Sequence, residues 1–222
     1  MNENLFIDST DLPPIIIGLS GVARSGKDTL CKFLIEEFAK KNLRAKKYAL
    51  AEELKNEMAD FIFDKFKINV NDCEGEEKKI IRPLLVAYGY AFRELSKGKH
   101  WTSITEKKIC QDKNVDVAII TDIRYDEFPE DELWWLKKKL NGFLVHVSRY
   151  ETSAVTNERK EIKAPNEEEL VNDPKIKRQS DILINWDTFA SQDSKLYIPY
   201  AKQVIQKIPA FKIINHLKKI IK

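Results

Sequence analysis

Ile15-Ile16-Ile17-Gly18-Leu19-Ser20-Gly21-Val22-Ala23-Arg24-Ser25-Gly26-Lys27-Asp28-Thr29 is the stretch that decides the fold. Ile15 to Leu19 is short, continuous and β-branched, the pattern of a parallel strand buried on both faces. Gly21 to Lys27 then satisfies G-x-x-x-x-G-K, and Leu30, Phe33, Leu34 and Phe38 follow at helical spacing. Strand, glycine-rich turn and amphipathic helix, in that order, form the context in which this motif binds phosphate. The glycines let backbone N–H groups turn inward as an anion nest, and the helix adds unpaired N–H groups and the positive end of its dipole. Lys27 supplies a mobile cation for the β- and γ-phosphates. Gly21, Val22, Ala23, Arg24, Ser25, Gly26, Lys27, Asp28 and Thr29 are therefore expected to bind ATP. Asp28 stands where a serine or threonine commonly ligates magnesium, and the hydroxyl is displaced to Thr29. A carboxylate is a good ligand for Mg²⁺, but an acid here also suits the first turn of a helix.

The rest of the composition agrees with an enzyme-sized globular domain. The chain has 222 residues, 43% apolar and 33% charged. At this length roughly 70% of the unfolded surface is buried, so no disulfide or metal staple is needed. Lysine and arginine number 38 against 35 acids, a net charge of +3 that does not favour nucleic acid as the main partner. Cys31, Cys73 and Cys110 are widely spaced with no C-x-x-C pair, which fits a reducing compartment. The stretch 1–14 reads as a loose leader without the basic n-region of a signal peptide, so the expected location is the cytoplasm.

Strands alternate with helices along the remainder, which implies a largely parallel sheet. Strands are expected at Ala45–Leu50, Val115–Ile120, Gly142–Val147 and Ile182–Ile184. Helices are expected at Glu52–Phe66, with Leu54, Met58, Phe61 and Ile62 inward, from Pro83 toward Leu95, at Ser103–Cys110 and at Glu130–Leu140. Asn69–Lys79 reads as a polar surface connection, and 149–179 as a long charged excursion. Two amphipathic helices close the chain on either side of Pro209. The expected fold is a single three-layer α/β domain over 15–222, of the P-loop NTPase class. A parallel central sheet is flanked by helices, with a helical region at about 50–112 and a lid-like excursion at about 149–179.

Asp122 ends the strand expected beside the loop strand, at the sheet edge where open α/β folds bind ligands. Its carboxylate can anchor Mg²⁺, and Arg124 can grip an acceptor phosphate bidentately; a surface ion pair is the alternative. Arg82 and Arg93 are three helical turns apart, so one helix can present both to a monophosphate. Salt-bridged surface arginines explain them equally well. Trp101 suits a base-stacking platform or the core. The excursion, with Arg149, Arg159, Lys160, Lys163, Lys175, Lys177 and Arg178, reads either as a closing lid or as a solvated loop.

Ser25-Gly26-Lys27-Asp28-Thr29 resembles the loop of bacteriophage deoxynucleoside monophosphate kinases. So do Ala49-Leu50-Ala51-Glu52-Glu53-Leu54-Lys55, Arg82-Pro83-Leu84-Leu85 with Gly89, Arg93 and Trp101, Thr121-Asp122-Ile123-Arg124-Tyr125 and Asp181-Ile182-Leu183-Ile184-Asn185. Dephospho-coenzyme A kinases share much of this pattern. The resemblance implies transfer of the γ-phosphoryl group of ATP, with Mg²⁺, to a deoxynucleoside monophosphate. Lys27, Asp28 and Arg124 would be catalytic, and Asp28, Thr29 and Asp122 would hold the ion. Arg82, Arg93, Trp101, Asp122 and Arg124 would bind the acceptor, and Asn185 would contact the donor base. Neither a nucleic acid nor a membrane is an expected partner; the apolar stripe near the C-terminus suits the core or a homodimer. Other small-molecule P-loop kinases and a nucleic-acid-dependent ATPase are the alternatives.

Overall fold

The computed structural model describes residues 12–153, 155–189 and 193–220; most of the expected leader, 1–11, lies outside them. Strands β1 (Ile15–Ser20), β2 (Ala45–Ala49), β3 (Val117–Ile123), β4 (Phe143–Thr152) and β6 (Ile182–Asp187) form a parallel sheet in the order β2-β3-β1-β4-β6. The short β5 (Arg159–Glu161) pairs antiparallel with the far end of β4. Tyr150 of β4 pairs with both β5 and β6, so β5 lies on the β1 side, beyond the end of β1.

The central position of β1 explains its unbroken apolar run. Ile15, Ile17 and Leu19 face α1 (Lys27–Ala39) and α7 (Ser194–Lys207), in a cluster with Leu30, Leu34, Phe38, Val204 and Ile205. Ile16 faces the other way, in a cluster with Ala118, Ile120, Leu144, Trp101, Leu133 and Leu136. Those last residues come from β3, β4, α4 (Lys99–Gln111), α5 (Glu132–Trp134) and the π-helical turns at Trp135–Lys139 that continue α5. With helices on both faces, this is a three-layer α/β fold whose central strand leads into the glycine loop. A satellite core of Met58, Ile62, Ile68, Val70 and Ile81 joins α2 (Leu50–Phe66) to α3 (Gly75–Ser96). The C-terminal helix is α8 (Ala210–Ile220). No described helix is long and apolar enough to cross a membrane.

Three expectations change. The helix expected from Pro83 begins at Gly75, inside the stretch read as a connection, and Pro83 lies within it. Its first turns are almost wholly exposed, and Glu76 and Glu77 there are favoured by the helix dipole, so no apolar period marks them. Phe61, expected inward, is exposed, because α2 buries only Leu50, Glu53, Met58 and Ile62. The 149–179 excursion is ordered as the β4–β5 hairpin and α6 (Glu167–Arg178). The buried positions of α6 are Glu169, Asn172 and Ile176, a helical spacing carried by two polar residues and therefore invisible to a hydrophobic reading.

Leu34 is fully buried between α1 and the sheet. Leu34→Ala is expected to lower the unfolding free energy by about 2–5 kcal/mol, measured by urea denaturation.

Candidate phosphate-binding site

The loop between β1 and α1 is built from left-handed backbone. Gly21 (φ 128°), Arg24 (φ 67°) and Gly26 (φ 97°) turn it, and Ser25 N–H donates to Val22 C=O at 3.1 Å. Only glycine fits at two of these positions. A Cβ on Gly21 would lie 2.3 Å from the Val147 carbonyl, and one on Gly26 would lie 2.3 Å from the Trp186 ring. The first intrahelical bond of α1 is Leu30 N–H to Gly26 C=O at 2.9 Å, which leaves the earlier first-turn N–H groups facing the cleft. The Ser25 hydroxyl is buried there without a partner.

Lys27 is buried, and its ammonium spans the loop, donating to the Gly21 and Val22 carbonyls at 2.7 and 3.0 Å. Burial holds its pKa below the ordinary lysine value, and the positive charge of Arg124 adds to this, against Asp122, Glu169 and Asp28. Cation and carboxylates from β1–α1, β3 and α6 thus meet at one end of the sheet. Asp28 is largely exposed and paired with Lys47 of β2 at 2.6 Å. Arg24, Gly26, Lys27, Asp28, Thr29 and Arg149 line a cleft of about 320 Å³. Arg149, in the second half of β4, gives one nitrogen to Glu151 at 3.2 Å, while its Nε is buried and unpartnered.

Asp122, the last residue but one of β3, sits at a break in the β1–β3 register with φ 73°, a conformation that costs a non-glycine residue about 1–3 kcal/mol and clusters at functional sites. Its carboxylate accepts from Arg124 at 3.2 Å, and Arg124 also donates to Glu169 at 3.0 Å.

No protein-family model matches the chain, and no curated protein matches it. Among solved structures it is similar to the shikimate kinase of Acinetobacter baumannii in complex with shikimate. The TM-score is 0.44 at 16% identity, over 90% of this chain and 95% of that one. The likeness is one of broad outline and speaks to no substrate.

The structure places several expected residues elsewhere. Arg93 is buried, and its guanidinium is bidentate on Asp131 at 3.0 and 3.0 Å, with Glu132 at 3.3 Å and Glu127 at 3.1 Å. Stacked 3.7 Å from the Tyr125 ring centroid, it holds the loop after β3 and does not face a monophosphate. Arg82, on the same helix, points to solvent. The two share a helical stripe, but only its C-terminal end lies under the Glu127–Glu132 segment. Trp101 is core: its Nε1–H donates to the Gly89 carbonyl at 3.3 Å, and Tyr88, Phe92 and His100 pack round it. Asn185 is exposed on β6, because strand alternation turns its neighbour Trp186 inward.

Trp186 and Glu169 were missed. Trp186 supports the loop from below, its Nε1–H donating to the Ser25 carbonyl at 2.8 Å. The alternation of β6 was the available signal, but three apolar residues alone marked the strand. Glu169 accepts from Ala23 N–H at 2.7 Å across 146 positions of sequence, a contact no local pattern announces.

The Arg93 knot sets the stance of Arg124. Glu132 accepts from the backbone N–H groups of Arg124 and Tyr125 at 2.7 and 3.2 Å. One guanidinium faces two fully buried carboxylates, so one of them carries excess charge. Burial pushes the Glu132 carboxyl up from 4.5 to about 7, while the hydrogen bonds of Arg93 hold Asp131 down against its burial.

A carboxyl raised in the folded state favours folding most below its unfolded value and loses that contribution as pH rises through its folded value. Stability is therefore expected to fall between about pH 4.5 and 7. Glu132→Gln should flatten that slope in melting curves taken across the range. Trp186→Phe keeps an aromatic side chain but removes the Nε1–H donor and part of the buried ring, leaving the Ser25 carbonyl unpaired. It is expected to cost about 1–3 kcal/mol, read by thermal unfolding.

Proposed function

We propose that the chain is a P-loop kinase that transfers the γ-phosphoryl group of ATP to the 5′-phosphate of a deoxynucleoside monophosphate. One observation carries the phosphoryl-transfer reading. A left-handed glycine loop with Lys27 lies at the same sheet edge as Asp122 and Arg124, tied to Arg124 through Glu169, which accepts from Ala23 N–H at 2.7 Å and from Arg124 at 3.0 Å. The choice of acceptor follows from the family resemblance of the motifs from Ser25 to Asn185.

The unpartnered Ser25 hydroxyl and the free first-turn N–H groups suit phosphate oxygens. Asp28, Thr29 and Asp122 offer oxygen donors at the same edge, the hard set that Mg²⁺ takes alongside nucleotide phosphates. Bound there, Mg²⁺ would neutralise charge on the β- and γ-phosphates. Lys27 exchanges its loop carbonyls for phosphate oxygens as the donor enters. Arg124 is half-buried and braced by Asp122, which presents a planar fork to the acceptor phosphate. Arg149 brings a further cation to the donor cleft, and among the cations of the 149–179 segment it is the one that enters the site. Arg82 is the remaining candidate for the outer part of the acceptor site; Arg93 acts through the loop that it holds.

The acceptor oxygen needs no general base. A phosphate monoester has a second pKa near ~6 and is mostly ionised at neutral pH. Positioning and charge neutralisation account for the chemistry.

An ADP-release assay with Mg-ATP, offering dGMP, dTMP, dCMP, dAMP, GMP and dephospho-coenzyme A separately, tests the reading. Turnover is expected with one or more deoxynucleoside monophosphates; activity with dephospho-coenzyme A alone would overturn the acceptor assignment. Lys27→Ala should remove most activity while leaving the circular dichroism spectrum unchanged. Arg124→Ala should lower kcat/KM by about 10²-fold or more.

A further inference from the structure

Glu169 makes a contact that local helix chemistry does not explain. It stands three residues after Asn166, whose side chain caps α6 by accepting from Glu169 N–H at 2.8 Å. A glutamate in that position ordinarily folds back onto the backbone N–H of the cap. Here the carboxylate turns away, is almost fully buried, and accepts from Ala23 N–H of the phosphate loop at 2.7 Å and from Arg124 at 3.0 Å. A backbone N–H of an anion nest and an arginine fork are the donor pair that receives a phosphate oxygen. A carboxylate of the chain itself fills that position.

We propose that Glu169 occupies the seat of a substrate phosphoryl group, and that phosphate binding and docking of α6 over the loop exclude each other. The proposal rests on the phosphate-loop reading above and gives that site its regulation. Two anions cannot share one pair of donors without a large repulsion. Glu167 and Glu168 stand beside Glu169 in the first turn of α6, so a phosphate entering beneath the docked helix meets further negative charge.

The docking of α6 is suited to release. Ile176 is its only apolar side chain among the buried ones. The remaining contacts are polar: Tyr125 to Glu168 at 3.2 Å, Asn172 to Glu127 at 2.9 Å, His146 to Asp173 at 3.0 Å, and Lys177 to Glu161 at 2.8 Å. The Tyr125–Glu168 and Lys177–Glu161 pairs are exposed and exchange readily for water. When the seat is taken by phosphate, Arg124 changes partner from Glu169 to the ligand and α6 lifts. The incoming phosphate is either the terminal group of the donor or the acceptor monophosphate, since Ala23 belongs to the donor loop and Arg124 faces the acceptor.

The test combines calorimetry with hydrogen exchange on the full chain. Inorganic tripolyphosphate serves as the donor-like probe and dTMP as the acceptor-like probe. Glu169→Gln and Glu169→Ala are compared with the unaltered protein, and melting curves establish that each variant is folded. Both variants are expected to bind at least one probe roughly tenfold more tightly, the equivalent of losing one charged competitor. That probe should also raise amide exchange across Glu167–Arg178 in the unaltered protein. The probe that does so identifies which phosphate takes the seat. Equal or weaker binding by both variants, or unchanged exchange in α6 at saturation, overturns the proposal. If the unaltered protein still binds tripolyphosphate and Lys27→Ala abolishes that binding, the kinase reading stands without it. If no form binds either probe, both fall.

Discussion

Unpaired backbone N–H groups at the end of a buried strand are the constraint round which this molecule is arranged. A buried N–H without a partner is costly, so a chain that keeps several of them directed at one point must hold them there with the rest of its structure. Trp186 does so from below through the Ser25 carbonyl, and Lys27 does so across the mouth by bonding to Gly21 and Val22. The glycines at 21 and 26 are the positions where Val147 and Trp186 leave no room for a side chain. The loop is thus shaped as much by β4 and β6 as by its own sequence.

Electrostatics near the loop runs through a chain of pairs. Arg93 is neutralised by Asp131 and Glu132, Glu132 fixes the backbone of Arg124, and Arg124 is shared between Asp122 and Glu169. Two arginines with similar sequence signatures therefore do different work. One is desolvated and fully engaged with carboxylates, and it positions a loop. The other keeps a partly open face at the sheet edge. The distinction comes from packing depth: Arg93 is 7% exposed with three carboxylates round it, whereas Arg124 is 32% exposed with two.

The glycine loop, the parallel sheet and the order of most elements were legible because they are written in local patterns. Ile15 to Leu19 has a strand's composition, Leu30 to Phe38 has a helix's period, and glycines punctuate the turn between them. What was not legible depends on contacts between distant segments. Arg93 read like a phosphate clamp because its carboxylate partners lie 34–39 positions further on. Trp101 read equally as a platform or as core, and the aromatic cluster of α3 and α4 decides for core. Helix α6 was hidden because Glu169 and Asn172 occupy its inward positions.

The position of Trp186 has a consequence for biosynthesis. The central strand β1 is made first, yet its neighbours β3 and β4 arrive only after residues 117 and 143. The tryptophan beneath the loop arrives later still. A nascent chain therefore carries the complete G-x-x-x-x-G-K sequence long before it has the walls and floor that give the loop its shape. Pairings so remote in sequence form slowly and leave apolar strands exposed meanwhile. The shaped loop is consequently complete only once β6 has been made, and a chain released before β6 keeps the motif without its cradle.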